Sequence, residues 1–149
     1  SIDVVLHALE LYPNFEYVAL LQPTSPMRTA KDIDDAFKLL KSTNAPSCIS
    51  ICKAQESPYW MYSIADDNLL KKVLPDSTLI NRRQDLPNIY VLNGAIYIAK
   101  VEWIFKEKSF NGDGCVGYIM PYERSIDIDV AEDLERADQL LKSKNYCTT

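Results

Sequence analysis

Near the carboxyl end, Ser125-Ile126-Asp127-Ile128-Asp129 alternates apolar and acidic residues, so an extended backbone would put both carboxylates on one face. Two like charges held that close repel each other unless one is protonated or a cation bridges them. A hard divalent ion such as Mg²⁺ suits the pair, because it takes one or two carboxylates and fills its other positions with water and substrate phosphate. The competing reading is a helix cap: Asp129-Val130-Ala131-Glu132 puts negative charge into a first turn, where the helix dipole favours it. The cap accounts for Asp129 and leaves Asp127 without a structural role.

A second candidate lies in the first third of the chain. The apolar run Val18-Ala19-Leu20-Leu21 gives way to the polar loop Gln22-Pro23-Thr24-Ser25-Pro26-Met27-Arg28. A parallel strand buried on both faces meets solvent only at its carboxyl end, and ligands settle in the crevice there. The two prolines hold Gln22 and Ser25 out of helical conformation, so the loop is ordered in advance. Thr29-Ala30-Lys31-Asp32 then forms a capping-box pattern, and Ile33, Ala36, Phe37 and Leu40 follow at helical spacing. Spacing alone fits an ordinary strand-to-helix connection as well as it fits a ligand loop.

These candidates must be carried by a frame, and the patterning predicts one. Helices are expected over 2–11, 31–42, 100–107 and 130–143, with strands over 17–22, 47–53, 94–99 and about 116–120. Tyr59 to Ile64 and Leu69 to Val73 read as a hairpin turning through Asp66-Asp67-Asn68. The order implies an α/β architecture of βαβ type with an inserted β region. At 149 residues, with 47% hydrophobic and 25% charged residues, the chain has apolar material for one core, and a single domain over 1–149 is expected.

Composition also narrows the partners. The net charge is −5 and no basic stretch exceeds Arg82-Arg83 or Lys71-Lys72, so nucleic acid is not an expected partner. No run approaches bilayer-spanning length and no leader pattern is visible, so a cytoplasmic protein without membrane attachment is expected. Cys48, Cys52, Cys115 and Cys147 lack paired ligand spacing and are expected to be reduced thiols, with Cys48 and Cys52 buried on a strand. His7, the only histidine, lies on the opening helix, which argues against a histidine-based triad.

Two further segments, Arg83-Gln84 with Leu86-Pro87 and Asn93-Gly94-Ala95-Ile96-Tyr97-Ile98, join Leu20 to Pro26 and Ser125 to Asp129 in a shared order. With these four, the chain resembles the acylneuraminate cytidylyltransferases, or CMP-sialic acid synthetases, which join a nine-carbon α-keto acid sugar to CMP from CTP and release pyrophosphate. The resemblance implies a Rossmann-like, mostly parallel sheet flanked by helices. It also implies an inserted β-rich region, about 57–93, that dimerises the protein. By position, Gln22, Thr24, Ser25, Asn93 and Tyr97 match substrate-binding residues, and Phe110 looks like the aromatic that packs on the sugar's acylated side. Arg83 matches the arginine that takes the sugar carboxylate, a role suited to a planar bidentate donor. Asp127 and Asp129 match the metal-binding aspartates, expected to carry Mg²⁺ and, with Arg83, the catalytic work.

The chain also departs from that pattern. Nothing in it matches the family's amino-terminal basic glycine loop, which grips the triphosphate, so it reads as a fragment lacking the first part of the fold. Trp60 stands where some relatives place a lysine beside the carboxylate, and Val91-Leu92 where they often carry a basic residue. These losses of charge bear on which nonulosonic acid is taken. The alternatives are an inactive sugar-binding or dimerising module and, less well matched, a phosphoacceptor domain with acids at another place in the fold.

Overall fold

In the computed structural model the described residues are 2–75, 80 and 82–143. In chain order the regular elements are α1 (Ile2–Leu11), β1 (Tyr17–Leu20), α2 (Ala30–Ser42), β2 (Ser47–Lys53), β3 (Tyr62–Ile64), β4 (Leu70–Lys72), β5 (Tyr90–Lys100), α3 (Val101–Glu107), β6 (Val116–Ile119) and α4 (Ala131–Ser143). The chain forms two compact units, Ser1–Cys52 with Leu92–Thr149, and Lys53–Val91.

In the first unit a four-stranded sheet runs β1-β5-β2-β6. β1 pairs with β5 antiparallel, Leu20 opposite Tyr97, whereas β2 and β6 are parallel, Cys48 opposite Val116. The α/β class is as expected, but the mostly parallel sheet is not: β5 runs against β1. The misleading signal was the apolar run of β1, which reads as a parallel strand buried on both faces: β1 is an edge strand with Tyr17, Val18 and Leu20 half-buried and Ala19 exposed. Its neighbour β5 is the strand covered on both faces, with Asn93, Gly94, Ala95, Ile96, Ile98 and Ala99 buried.

Helices supply that cover. On one face Ala36 and Leu40 of α2 pack with Cys48, Ile96, Ile98 and Met120. On the other, Val5 and Leu9 of α1 and Ile104 of α3 pack with Ile49, Ala99 and Phe110. Each fully buried Leu or Ile of this kind contributes roughly 1.5–3 kcal/mol by leaving water. A third small cluster, Met27 with Ile126 and Ala137, joins the end of the 22–28 loop to the acidic segment and α4. Cys48 and Cys52 are buried free thiols, and burial pushes Cys48 up to about 11. Cys147 lies outside the described residues.

The second unit, Lys53–Val91, covers most of the stretch expected as an insert. β3 and β4 form an antiparallel hairpin, with Ser63 opposite Lys71. Asn68 takes the left-handed conformation in its turn at φ 64°, and Asp67 Oδ1 accepts from the Leu69 amide at 3.2 Å. The strand expected from Tyr59 starts later, because Pro58–Trp60 form a 3₁₀ turn capped by Ser57. The amide of Ala54 donates to the Ile89 carbonyl at 2.9 Å, tying the two ends of the unit together.

Candidate functional site

The loop after β1 is held from inside. The Ser25 amide donates to the Gln22 carbonyl at 3.2 Å, and Arg28 Nη1 donates to the carbonyls of Gln22 and Ser25 at 2.6 and 2.7 Å. Arg28 therefore staples the turn, a role that its position at the loop's end did not reveal in the sequence. The expected capping box closes the loop onto α2: Thr29 Oγ1 accepts from the Asp32 amide at 3.2 Å, and Asp32 Oδ2 accepts from the Thr29 amide at 2.9 Å.

Gly94 marks where the predicted residues meet. It sits at φ +72°, a conformation that disfavours a side chain, and a β-carbon there would lie 2.7 Å from Gln22 Oε1, 3.1 Å from Asp127 Oδ2 and 3.3 Å from Ser25 Oγ. Three polar groups from two distant segments thus converge over one bare backbone position. Ser25 is fully buried, with its hydroxyl 3.4 Å from the Asn93 carbonyl and 3.5 Å from Asp127 Oδ1. Thr24 is exposed, and its carbonyl accepts from the Ile128 amide at 2.8 Å.

The acidic segment is not a strand; residues 125–129 belong to no sheet. Asp127 is half-buried at the convergence, whereas Asp129 is exposed. The cap expected of Asp129 is made instead by Asp133, whose Oδ2 accepts from the Asp129 and Val130 amides at 3.2 Å each. With Asp129 unused as a cap and Asp127 engaged only at 3.5 Å, both carboxylates keep oxygen lone pairs open. Among the described residues no group of three or more His, Cys, Asp or Glu is placed to hold a metal ion, and Asp127 and Asp129 are the two carboxylates this segment offers to a hard ion that takes one or two.

Asn93 is only 4% exposed and its carboxamide is occupied by the protein. Oδ1 accepts from Ser50 Oγ at 2.6 Å and the Ala95 amide at 3.3 Å, while Nδ2 donates to Ser125 Oγ at 2.9 Å and reaches Met120 Sδ at 3.4 Å. Tyr97 and Phe110, ring centroids 5.7 Å apart, line a cleft of about 260 Å³ together with Leu20, Gln22 and Lys108. Burial first, and then the negative charge of Asp127, hold the Tyr97 hydroxyl above its ordinary pKa, so it stays a neutral donor.

A neighbouring ion pair was missed by the sequence reading. Arg124 grips Asp32 through Nη2–Oδ1 at 2.7 Å and Nε–Oδ2 at 3.0 Å, and the Tyr118 hydroxyl donates to Oδ1 at 3.1 Å. Burial alone would raise the Asp32 carboxyl, but hydrogen bonds from Arg124 and Thr29 outweigh it and hold the group at about 2. Residues 92 apart gave no local signal.

Arg83 lies in the second unit. Its Nη2 donates to the Gln55 carbonyl at 2.8 Å, and its side chain lines a small cavity of about 90 Å³ with Lys53, Ser57, Trp60 and Asn88. Trp60 is fixed there by its indole N–H, which donates to the Ile80 carbonyl at 2.6 Å. Lys53, which the sequence reading passed over, puts a second positive charge beside this cavity.

Against known proteins, no family model matches the chain. It is 34% identical over 146 residues to N-acylneuraminate cytidylyltransferase of Escherichia coli O18:K1:H7, covering 97% of this chain and 34% of that protein. Identity to N-acylneuraminate cytidylyltransferase of Streptococcus agalactiae serotype V is 31% over 134 residues, covering 89% of this chain and 32% of the relative. The CMP-N,N'-diacetyllegionaminic acid synthase of Legionella pneumophila is 33% identical over 143 residues, which is 95% of this chain and 60% of the synthase. The chain therefore spans about a third of the length of the first two relatives and less than two thirds of the third. By sequence, the chain is related along nearly its whole length to the acylneuraminate cytidylyltransferases, as its four motifs implied.

Proposed function

We propose that this chain is the sugar- and metal-handling part of a CTP-dependent cytidylyltransferase that makes a CMP-nonulosonic acid and releases pyrophosphate. The convergence of Gln22, Ser25 and Asp127 over Gly94 carries the reading, because it joins two motif segments about a hundred residues apart at the mouth of a polar loop. In the reaction, the sugar's anomeric hydroxyl loses its proton and forms a bond to the α-phosphorus of CTP, while the bond to the β-phosphate oxygen breaks. Such chemistry asks the protein mainly for position and charge.

Gln22 and Tyr97 orient the sugar as hydrogen-bonding groups, and Phe110 packs beside its acylated substituent. Ser25 and Thr24 shape the loop under it, and the fully partnered Asn93 fixes the floor by holding Ser50 and Ser125. Within the second unit, Arg83 is the planar donor suited to a carboxylate, and Lys53 beside its cavity supplies the charge that Trp60 does not. Asp127 and Asp129 would hold Mg²⁺, which when bound neutralises charge on phosphate oxygens.

A homodimer built through the second unit is supported by its exposed apolar side chains, among them Met61, Tyr62, Ile64, Leu70 and Val91. A Rossmann-like layout for the whole protein is supported by the parallel β2–β6 pair and by a polar loop at the carboxyl end of β1. A cytoplasmic site for the reaction suits its CTP substrate; no described helix is long and apolar enough to cross a membrane.

The test is to incubate the whole protein that contains this chain with CTP, Mg²⁺ and either N-acetylneuraminate or N,N'-diacetyllegionaminate, and to look for the CMP-sugar by mass spectrometry. Formation of either CMP-sugar is the expected result. Sugar binding without any CMP-sugar would instead favour an inactive sugar-binding module.

A further inference from the structure

Asp32 receives more than a helix cap requires. Its carboxylate is 1% exposed and accepts from five donors: Thr29 N and Oγ1 at 2.9 and 2.7 Å, Arg124 Nε and Nη2 at 3.0 and 2.7 Å, and the Tyr118 hydroxyl at 3.1 Å. The Thr29 contacts alone would complete the capping box. The Arg124 fork is additional, and a planar two-point grip fixes the direction of the chain that carries it.

That chain leads straight to the site. Ser125, Ile126 and Asp127 follow Arg124, and the next residue, Ile128, is tied by its amide to the Thr24 carbonyl at 2.8 Å. The acidic segment is thus fastened at both ends to one continuous piece, the 22–28 loop and the first turn of α2. Between the fastenings, Ile126 is buried with Met27 and Ala137. A buried ion pair is weak as a source of stability, since desolvation offsets most of its attraction, but it is well suited to fixing register.

We propose that the Asp32–Arg124 pair is a latch that sets the register between the proline-bracketed loop and the acidic segment. Asp32 and Arg124 are then positioning residues that bring Asp127 to Gln22 and Ser25 over Gly94. The proposal deepens the functional reading above and rests on it only for what binds at that point.

Amide hydrogen exchange of this chain, read by NMR without substrate or metal, tests the latch. Arg124→Met removes the grip entirely, and Arg124→Lys keeps the charge while losing the fork, so it carries the test should the first variant fail to fold. The Ile128 amide is expected to exchange at least tenfold faster in Arg124→Lys, while the Ile96 and Leu40 amides in the core change far less. An Ile128 amide that stays as protected as in the parent, or loosens only in step with Ile96 and Leu40, overturns the proposal. Because no ligand is present, a failure of the latch and a failure of the functional reading give different results.

Discussion

Asp32 shows how a single carboxylate can be tuned by its neighbours. Its ionised form is favoured by the Arg124 fork and the Thr29 donors strongly enough to bring its pKa from 3.8 to about 2 against the cost of burial. A depressed folded-state value means that the charged group stabilises the fold above the unfolded value near pH 4. That contribution, about 2 kcal/mol, is lost as pH falls towards 2. Denaturant melts between pH 7 and pH 2 should show this acid loss in the parent chain, and Asp32→Asn should remove that part of the pH dependence. Tyr118, against the same carboxylate, moves the other way: burial first, and then the charge of Asp32, push its hydroxyl up to about 12.

At the scale of elements, the hairpin β3–β4 offers the plainest prediction. Ile64 is 70% exposed and Leu70 is 64% exposed, and they face each other as cross-strand partners. If the second unit dimerises the protein, Ile64→Asp with Leu70→Asp should convert a dimer to a monomer in sedimentation equilibrium while leaving the far-ultraviolet spectrum unchanged. A parent chain that sediments as a monomer would dismiss the dimer. The elements themselves were largely readable: α1, α2, β2 and α4 lie within a residue of where periodicity and the Thr29–Asp32 box placed them. Strand direction was not, because the short apolar run of β1 suits an antiparallel edge strand as well as a buried parallel one. Nor was the true cap of α4, since Asp129 and Asp133 both fit the pattern and only the fold shows Asp133 reaching back to the amides.

For the molecule as a whole, the site was legible in part. Asp127 stood out because the helix cap left it without a structural role, and the loop 22–28 because two prolines order it in advance, whereas Arg28, Lys53 and Arg124 act through contacts that no spacing encodes. The chain spans about a third of the N-acylneuraminate cytidylyltransferases it matches, so the full reaction is best measured in a protein of their length that carries this segment. There, pyrophosphate release from CTP in the presence of a nonulosonic acid and Mg²⁺ should fall by roughly a hundredfold or more on Asp127→Asn, with the melting temperature little changed. An Asp127→Asn protein that turns over within a few-fold of the parent contradicts the placing of Asp127 at the reacting phosphate.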